Sequence, residues 1–250
     1  MAARRDPEQT LALLWRTKQP GSRGPRGSLN LDLIVGTAVG IADAEGLGGV
    51  SMRKVAESLG VTTMSLYRYV PGKDDLLDLM FDMASGRPEA DDWPSDWRGG
   101  LRAYAWGMWH TLRASPWMLD VPLNGPPMGP NNLAWMEAAL SAMDGSGLRP
   151  DEMLGVLIIV SGYVMNEVRQ ELSMTRAAPE TGVTYEEWGR VYAQMLAKVV
   201  TDGRYPTLAS VVAAGVFDDD RTGPEEDFEY GLGFLLDGVA AMLRGRTPDG

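Results

Sequence analysis

Between Ser51 and Lys73 the sequence gathers side chains able to meet a polyanion. Thr62, Thr63, Ser65, Tyr67, Arg68, Tyr69 and Lys73 place hydroxyls, a guanidinium and an ammonium within twelve residues, with Ser51 and Arg53 a short way upstream. Hydroxyls and ammonium groups bind phosphate oxygens, and an arginine can grip guanine O6 and N7 with two hydrogen bonds. Arg68 is the one side chain of 62–70 with that bidentate reach. The chemistry on offer is recognition of a double-stranded nucleic acid.

Such groups act only if the backbone aims them. Ser51 suits the N-cap of a helix in which Met52, Val55, Ala56 and Leu59 fall at i, i+3, i+4 and i+7. Gly60 closes it where the chain must turn left-handed, and Thr62 caps a short helix over 62–70 with Leu66 and Val70 inward. Val55, Leu59, Val61, Leu66 and Val70 would lock the second helix onto the first, giving a helix–tight turn–helix that fits a major groove. The same spacing also describes any helical corner with polar residues outside. An earlier helix over 30–45 has Leu31, Ile34, Ala38, Ile41 and Ala42 on one face, and Pro71-Gly72 separates the unit from a helix over 74–85 bearing Leu77, Met80, Phe81 and Ala84.

Net charge is −11, yet residues 1–73 carry ten Lys/Arg against six Asp/Glu, so the acidic balance lies wholly downstream. A basic head on an acidic body is the asymmetry expected when one end meets phosphates. The absence of cysteine excludes disulfides, thiolate metal sites and a cysteine nucleophile, and suits the cytoplasm. The 13-residue apolar run 153–165 is too short to span a membrane and reads as a buried core helix. No spacing identifies a Ser-His-Asp set, a phosphate-cradling glycine loop or a two-histidine metal motif. Neither a cofactor nor a metal is expected; Asp218-Asp219-Asp220 reads as a solvated loop.

The block from Ser51 to Leu77, with its Leu59-Gly60-Val61 turn, Leu66-Tyr67-Arg68-Tyr69 segment and Lys73-Asp74-Asp75-Leu76-Leu77, resembles the TetR-family DNA-binding domain. Ile41 to Leu47 resembles the end of the family's first helix. Pro122 to Pro127, Tyr205 to Leu208 and the stretch from Phe228 to Val239 are similar to the tetracycline-repressor subclass of C-terminal domains. The resemblance implies a repressor whose last helices form a dimeric four-helix bundle around a small-molecule pocket.

The expected fold is therefore all-α: a flexible basic arm over 1–27 with one short helical turn around Leu11–Trp15, a helix-turn-helix domain over 28–73, and a ligand-sensing and dimerisation domain over 74–250 in which 74–85 links the two. Further helices are predicted over 96–115, 132–144, 151–177, 184–202, 207–217 and 226–244. Tyr104, Met108, Trp109, His110, Trp135, Tyr163 and Asn166 are candidate ligand contacts, although aromatic and methionine clusters also build cores. The shortage of histidine argues against the metal-chelated ligand that the resemblance would imply, and the aromatic and methionine-rich lining with few charges favours a small apolar one. Phe228, Leu232, Leu235, Val239 and Met242 alternate by four and three, and Gly231 and Gly238 interrupt a helix, as a close partner backbone or packing within the chain would require. The expected partners are a double-stranded DNA operator, the ligand and a second copy. The rival reading is a helical binding protein or enzyme whose helix-turn-helix is incidental.

Overall fold

Short polar residues ahead of apolar runs cap helices as their chemistry requires. Asn30 Oδ1 accepts from the backbone N–H of Leu33 at 2.8 Å, Ser51 Oγ from Lys54 at 3.2 Å, and Thr62 Oγ1 from Ser65 at 3.3 Å, satisfying donors that a first turn leaves unpaired. The computed structural model describes residues 7–17, 29–122, 125–200, 203–218 and 223–245. Among these residues all regular structure is helical: α1 (Pro7–Leu14), α2 (Leu31–Glu45), α3 (Met52–Ser58), α4 (Thr63–Tyr67), α5 (Lys73–Ser85), α6 (Trp97–Ala114), α7 (Pro130–Met143), α8 (Pro150–Thr181), α9 (Tyr185–Val199), α10 (Pro206–Ala213) and α11 (Pro224–Arg244). Lys18, Arg23 and Arg26 of the basic arm, Leu123 and Asn124, and Asp219 and Asp220 lie outside the described residues.

The chain divides into two compact units, residues 1–161 and 162–250, and α8 runs through both. In the first unit Ile34, Val35 and Ala38 of α2 and Leu76, Leu79 and Met80 of α5 are buried where those helices pack, while Leu101, Ala105 and Trp109 of α6 and Ala139 and Met143 of α7 form the next layer. One expectation changes here. Residues 7–17 of the segment predicted as a flexible arm hold α1, a full helix packed on α5 with Leu14 buried. The short apolar run Leu11–Trp15 suggests one helical turn there, and tertiary ties extend it into a helix of eight residues. Thr10 Oγ1 donates to Asp75 at 3.3 Å, and the Trp15 indole donates to the Met128 carbonyl at 3.0 Å.

The run 153–165 is not buried all round. Val156, Leu157, Val160 and Val164 face inward, but Ile158 is 70% exposed, and Leu154 and Ile159 are also exposed. The segment predicted as a helix over 207–217 stops at Ala213, and a short 3₁₀ turn follows over Val216–Asp218.

In the second unit, α11 turns its apolar seam inward. Phe228, Leu232, Leu236 and Val239 are buried, so Phe228, Leu232 and Val239 are core rather than the partner-facing residues the pattern predicted. Leu235 is half-buried, and Gly238 and Met242 remain exposed. Gly231 also has an internal reason. The Tyr163 ring stacks on Phe228 at 5.5 Å, its hydroxyl donates to the Phe228 carbonyl at 2.8 Å, and a methyl at residue 231 would collide with that hydroxyl. Burial, then the charges of Glu167 and Asp227, push the Tyr163 pKa up, so the hydroxyl stays a donor. Both readings of the glycine fit the sequence, because a helix pattern does not state which chain supplies the neighbour.

Gly231→Ala is expected to destabilise the chain by about 1–3 kcal/mol through overpacking, despite alanine's better helix propensity. Gly233→Ala, where a methyl meets nothing within 4 Å, should instead stabilise it by up to about 1 kcal/mol. Urea unfolding of both variants checks this; equal effects would mean that the Tyr163 contact is not what keeps Gly231.

Candidate nucleic-acid interface and ligand cavities

The turn between α3 and α4 is set by Gly60 at φ +66°, a left-handed conformation that side chains resist. Val55, Ala56, Leu66 and Val70 are buried, with Leu59 and Val61 half-buried, so α4 is locked onto α3 by the face predicted for it. The regular helix is shorter than the predicted 62–70, although the backbone N–H of Val70 still bonds to the Leu66 carbonyl at 2.9 Å. Ser51, Arg53, Thr62, Tyr67, Arg68 and Lys73 are exposed, and Thr63, Ser65 and Tyr69 are half-buried. Ser51 and Thr62 spend their hydroxyls on helix caps, and Arg53 lies 3.5 Å from Glu57. Lys54 is drawn back into an ion pair with Glu45 of α2.

Met64 was not expected at this surface, yet it is 70% exposed, beside Tyr67 and Arg68. Helical phase could have found it: with Leu66 and Val70 inward, positions 64, 67 and 68 point out. The outer row thus joins a flexible apolar thioether, suited to a thymine methyl, to an aromatic hydroxyl and a guanidinium.

The seven candidate ligand contacts fall in both units, five in the first and two in the second. Tyr104 is buried and shares a hydrogen bond with Ser161 Oγ at 2.9 Å, and burial raises its pKa. Its ring lies 5.9 Å from Trp135 and 6.4 Å from Trp93, a residue the sequence reading passed over. Trp109 is core, Met108 is half-buried, and His110 is exposed with its ring 5.6 Å from Trp106. Tyr163 and Asn166 belong to the second unit, where Tyr163 is committed to α11 and Asn166 is exposed. Their spacing suggested one shared face, but α11 covers only the Tyr163 side. Within the first unit the structure groups Tyr104 and Trp135 with Trp93.

The described residues of the first unit enclose, among others, these two cavities. One, of about 490 Å³, runs between the 87–95 segment and α7, with Arg87, Trp93, Pro94, Glu137 and Ser141 among its walls. The other, of about 600 Å³, lies between α1, α5 and the 125–129 loop. Among the described residues no group of three or more His, Asp or Glu side chains is placed to hold a metal.

What joins these regions is polar, and sequence reasoning missed it. Asp82 of α5 is buried, and its Oδ1 accepts the backbone N–H groups of Asn131 and Asn132, each at 3.0 Å. Asn131 Nδ2 donates to the Asp82 carbonyl at 2.9 Å, Asn132 Nδ2 to Ser85 Oγ at 2.7 Å, and the Trp135 indole to the carbonyls of Ser85 and Gly86 at 3.0 Å. Burial raises the Asp82 pKa, and the two backbone donors and the Arg16 charge oppose that rise. A second clasp fastens α2: Asp43 Oδ1 accepts from Trp117 Nε1 at 2.6 Å and Ser115 Oγ at 2.9 Å. The signal for Asp82 was present, since it shares the helical stripe of Leu79 and Leu76 and thus sits on an apolar face.

Residues 34–80 match the family model described as "Bacterial regulatory proteins, tetR family", and residues 88–243 match "Tetracyclin repressor-like, C-terminal domain". The HTH-type transcriptional repressor DrrR1 of Streptomyces coeruleorubidus is 43% identical over 247 residues, covering 98% of this chain and 89% of that protein. Among solved structures, apo ActR from Streptomyces coelicolor superposes with a TM-score of 0.71 at 25% identity, covering 88% of this chain and all of that one. ActR in complex with actinorhodin superposes with a TM-score of 0.68 at 27% identity, with the same coverage.

Removing the Asp82 carboxylate should loosen α5 from α7. Asp82→Ala leaves two buried N–H groups without their acceptor, which costs about 2–4 kcal/mol, whereas Asp82→Asn keeps an acceptor oxygen and loses less. Because the folded pKa is raised, the wild-type contribution is fully present below the unfolded pKa and is lost as pH rises through the folded value. Denaturant titrations across the weakly acidic range should show wild type losing stability relative to Asp82→Asn as pH rises. Parallel curves would mean that Asp82 does not titrate there.

Proposed function

This chain belongs to the TetR family of bacterial regulatory proteins, and we propose that it is a homodimeric repressor that acts in the cytoplasm, holds a palindromic operator, and releases it when a small, largely apolar ligand binds without a metal. Residues 28–73 read the DNA, α5 links, and the remainder senses and dimerises. The observation that carries this reading is the outward row Met64, Tyr67 and Arg68 on a helix whose opposite side, Leu66 and Val70, is locked into the head. One copy presents one such row, and a two-fold dimer presents two, about one turn of DNA apart.

Support for dimerisation comes from α11. Tyr230 and Phe234 touch edge-to-face at 4.8 Å and are 56% and 61% exposed, an apolar pair at the surface of a single chain. Together with Gly238 and Met242 they form the stripe opposite the buried one, and we assign the partner contact to that stripe. Trp93, Tyr104 and Trp135 at the end of α5 support an apolar ligand, and the complex of ActR with actinorhodin supports ligand response. A ligand releases DNA only as far as it prefers the unbound conformation, typically by about 1–3 kcal/mol of coupling. No helix among the described residues is long and apolar enough to cross a membrane.

Arg68→Ala is expected to cost about 1–3 kcal/mol of operator affinity and to relax preference at one base pair. Lys73→Ala should weaken binding uniformly and lower the salt slope by about one. Anisotropy titrations on fragments of the chain's own upstream region, at several salt concentrations, measure both. If both variants bind like wild type, the reading face lies elsewhere.

Phe234→Asp is expected to yield a folded monomer in sedimentation, because the residue is exposed within the chain, whereas Leu232→Asp should unfold it by burying a charge. A Phe234→Asp protein that remains a tight dimer would move the interface off α11.

A further inference from the structure

The smaller cavity holds two opposite charges that do not meet. Its volume of about 490 Å³ falls in the range of small-molecule sites. One wall is a face of α7 with Glu137, Ala138 and Ser141, and the other is the 87–95 segment with Arg87, Trp93 and Pro94. Arg87 and Glu137 are exposed, one on each wall, and among the described residues neither takes part in an ion pair. Glu137 Oε1 accepts from Ser141 Oγ, one turn along α7, at a long 3.4 Å, which leaves the carboxylate capacity for a cation.

A guanidinium takes a carboxylate with two parallel hydrogen bonds, and a carboxylate takes an ammonium. The alanine, proline and tryptophan surface between them favours a flat apolar body. A ligand with one charge satisfies one wall, and a zwitterion satisfies both.

The place of Arg87 in the chain gives occupancy a consequence. It follows Gly86, the C-cap of α5 at φ +56°, whose carbonyl accepts from the Trp135 indole of α7. A molecule held by Arg87 and Glu137 ties the segment that leaves α5 to α7, beside the bonds that Asn132 and Trp135 already make to Ser85.

We propose that this cavity binds a zwitterion with a flat apolar body, an aromatic α-amino acid or a derivative that keeps both charges. Its carboxylate lies on Arg87, its ammonium on Glu137, and its ring against Trp93 and Pro94. The site differs in chemistry from the apolar one assigned to the Trp93–Tyr104–Trp135 cluster, with Trp93 common to both. The binding goes beyond the repressor reading and stands without it.

L-Tryptophan, tryptamine and indole-3-propionate share one indole and differ in which charges they carry, so they are matched probes for calorimetry on the full-length chain. L-Tryptophan should bind more tightly than either of the others by roughly fivefold or more. Arg87→Gln should weaken L-tryptophan to near the tryptamine level and leave tryptamine unchanged. Glu137→Gln should weaken it to near the indole-3-propionate level and leave that probe unchanged. Both positions are exposed, so the unliganded variants should melt as wild type does. The three-probe comparison on wild type stands even if a variant fails to fold. Absence of L-tryptophan binding, a singly charged probe that binds as tightly, or an affinity indifferent to either substitution overturns the proposal. Operator binding by the wild-type chain is measured separately, and its loss would defeat the repressor reading while leaving the cavity result intact.

Discussion

The carboxylate of Asp82 fixes how the helices of the first unit meet. It is buried and bonded to two backbone N–H groups at the start of α7, where the helix dipole also favours a negative charge. Burying a carboxyl group is costly, and the two backbone donors from the helix end offset that cost. Gly129 is obligatory beside it, since a side chain there would occupy the space of the carboxylate. Asn131, Asn132 and Trp135 return their bonds to the last turn of α5, so α5 and the start of α7 behave as one piece.

From that junction the ties run toward the reading head. Helix α5 packs along α2, and Asp43 near the end of α2 is clasped by Ser115 and Trp117. Helix α4 rides on α3, which Lys54 pairs to α2 through Glu45. A few hydrogen bonds and one packed layer thus connect α7 with the outward row of α4. Helix α1, fastened at Asp75, Asp32 and the Met128 carbonyl, adds a strap across the same path.

Much of this was legible in the residues. Caps at Asn30, Ser51 and Thr62, the turn at Gly60 and the inward positions Leu66 and Val70 all follow from local chemistry, and the structure places them as that chemistry requires. The clasps were harder to read. Asp82 looks like one more acidic residue of a polar-rich helix until its stripe is traced, and its partners lie some fifty residues away. Met64 carries no polar group to mark it as a contact, and only the phase of its helix, with Leu66 and Val70 inward, places it outside.

The sequence by itself determined the helical content, the helix-turn-helix head and which of its residues face outward, because capping, glycine turns and 3.6-residue periodicity act over a few neighbouring residues. Only the tertiary structure decided which side of a two-faced helix is core. Helix α11 has apolar residues on both sides, and the stacking of Phe228 on Tyr163 sends Phe228, Leu232 and Val239 inward and leaves Tyr230 and Phe234 outside. It likewise sorted the aromatic candidates of the first unit, putting Trp109 in the core, His110 at the surface, and Tyr104 and Trp135 together. Periodicity specifies a face but not its partner, and the partner comes from long-range packing that no local pattern encodes.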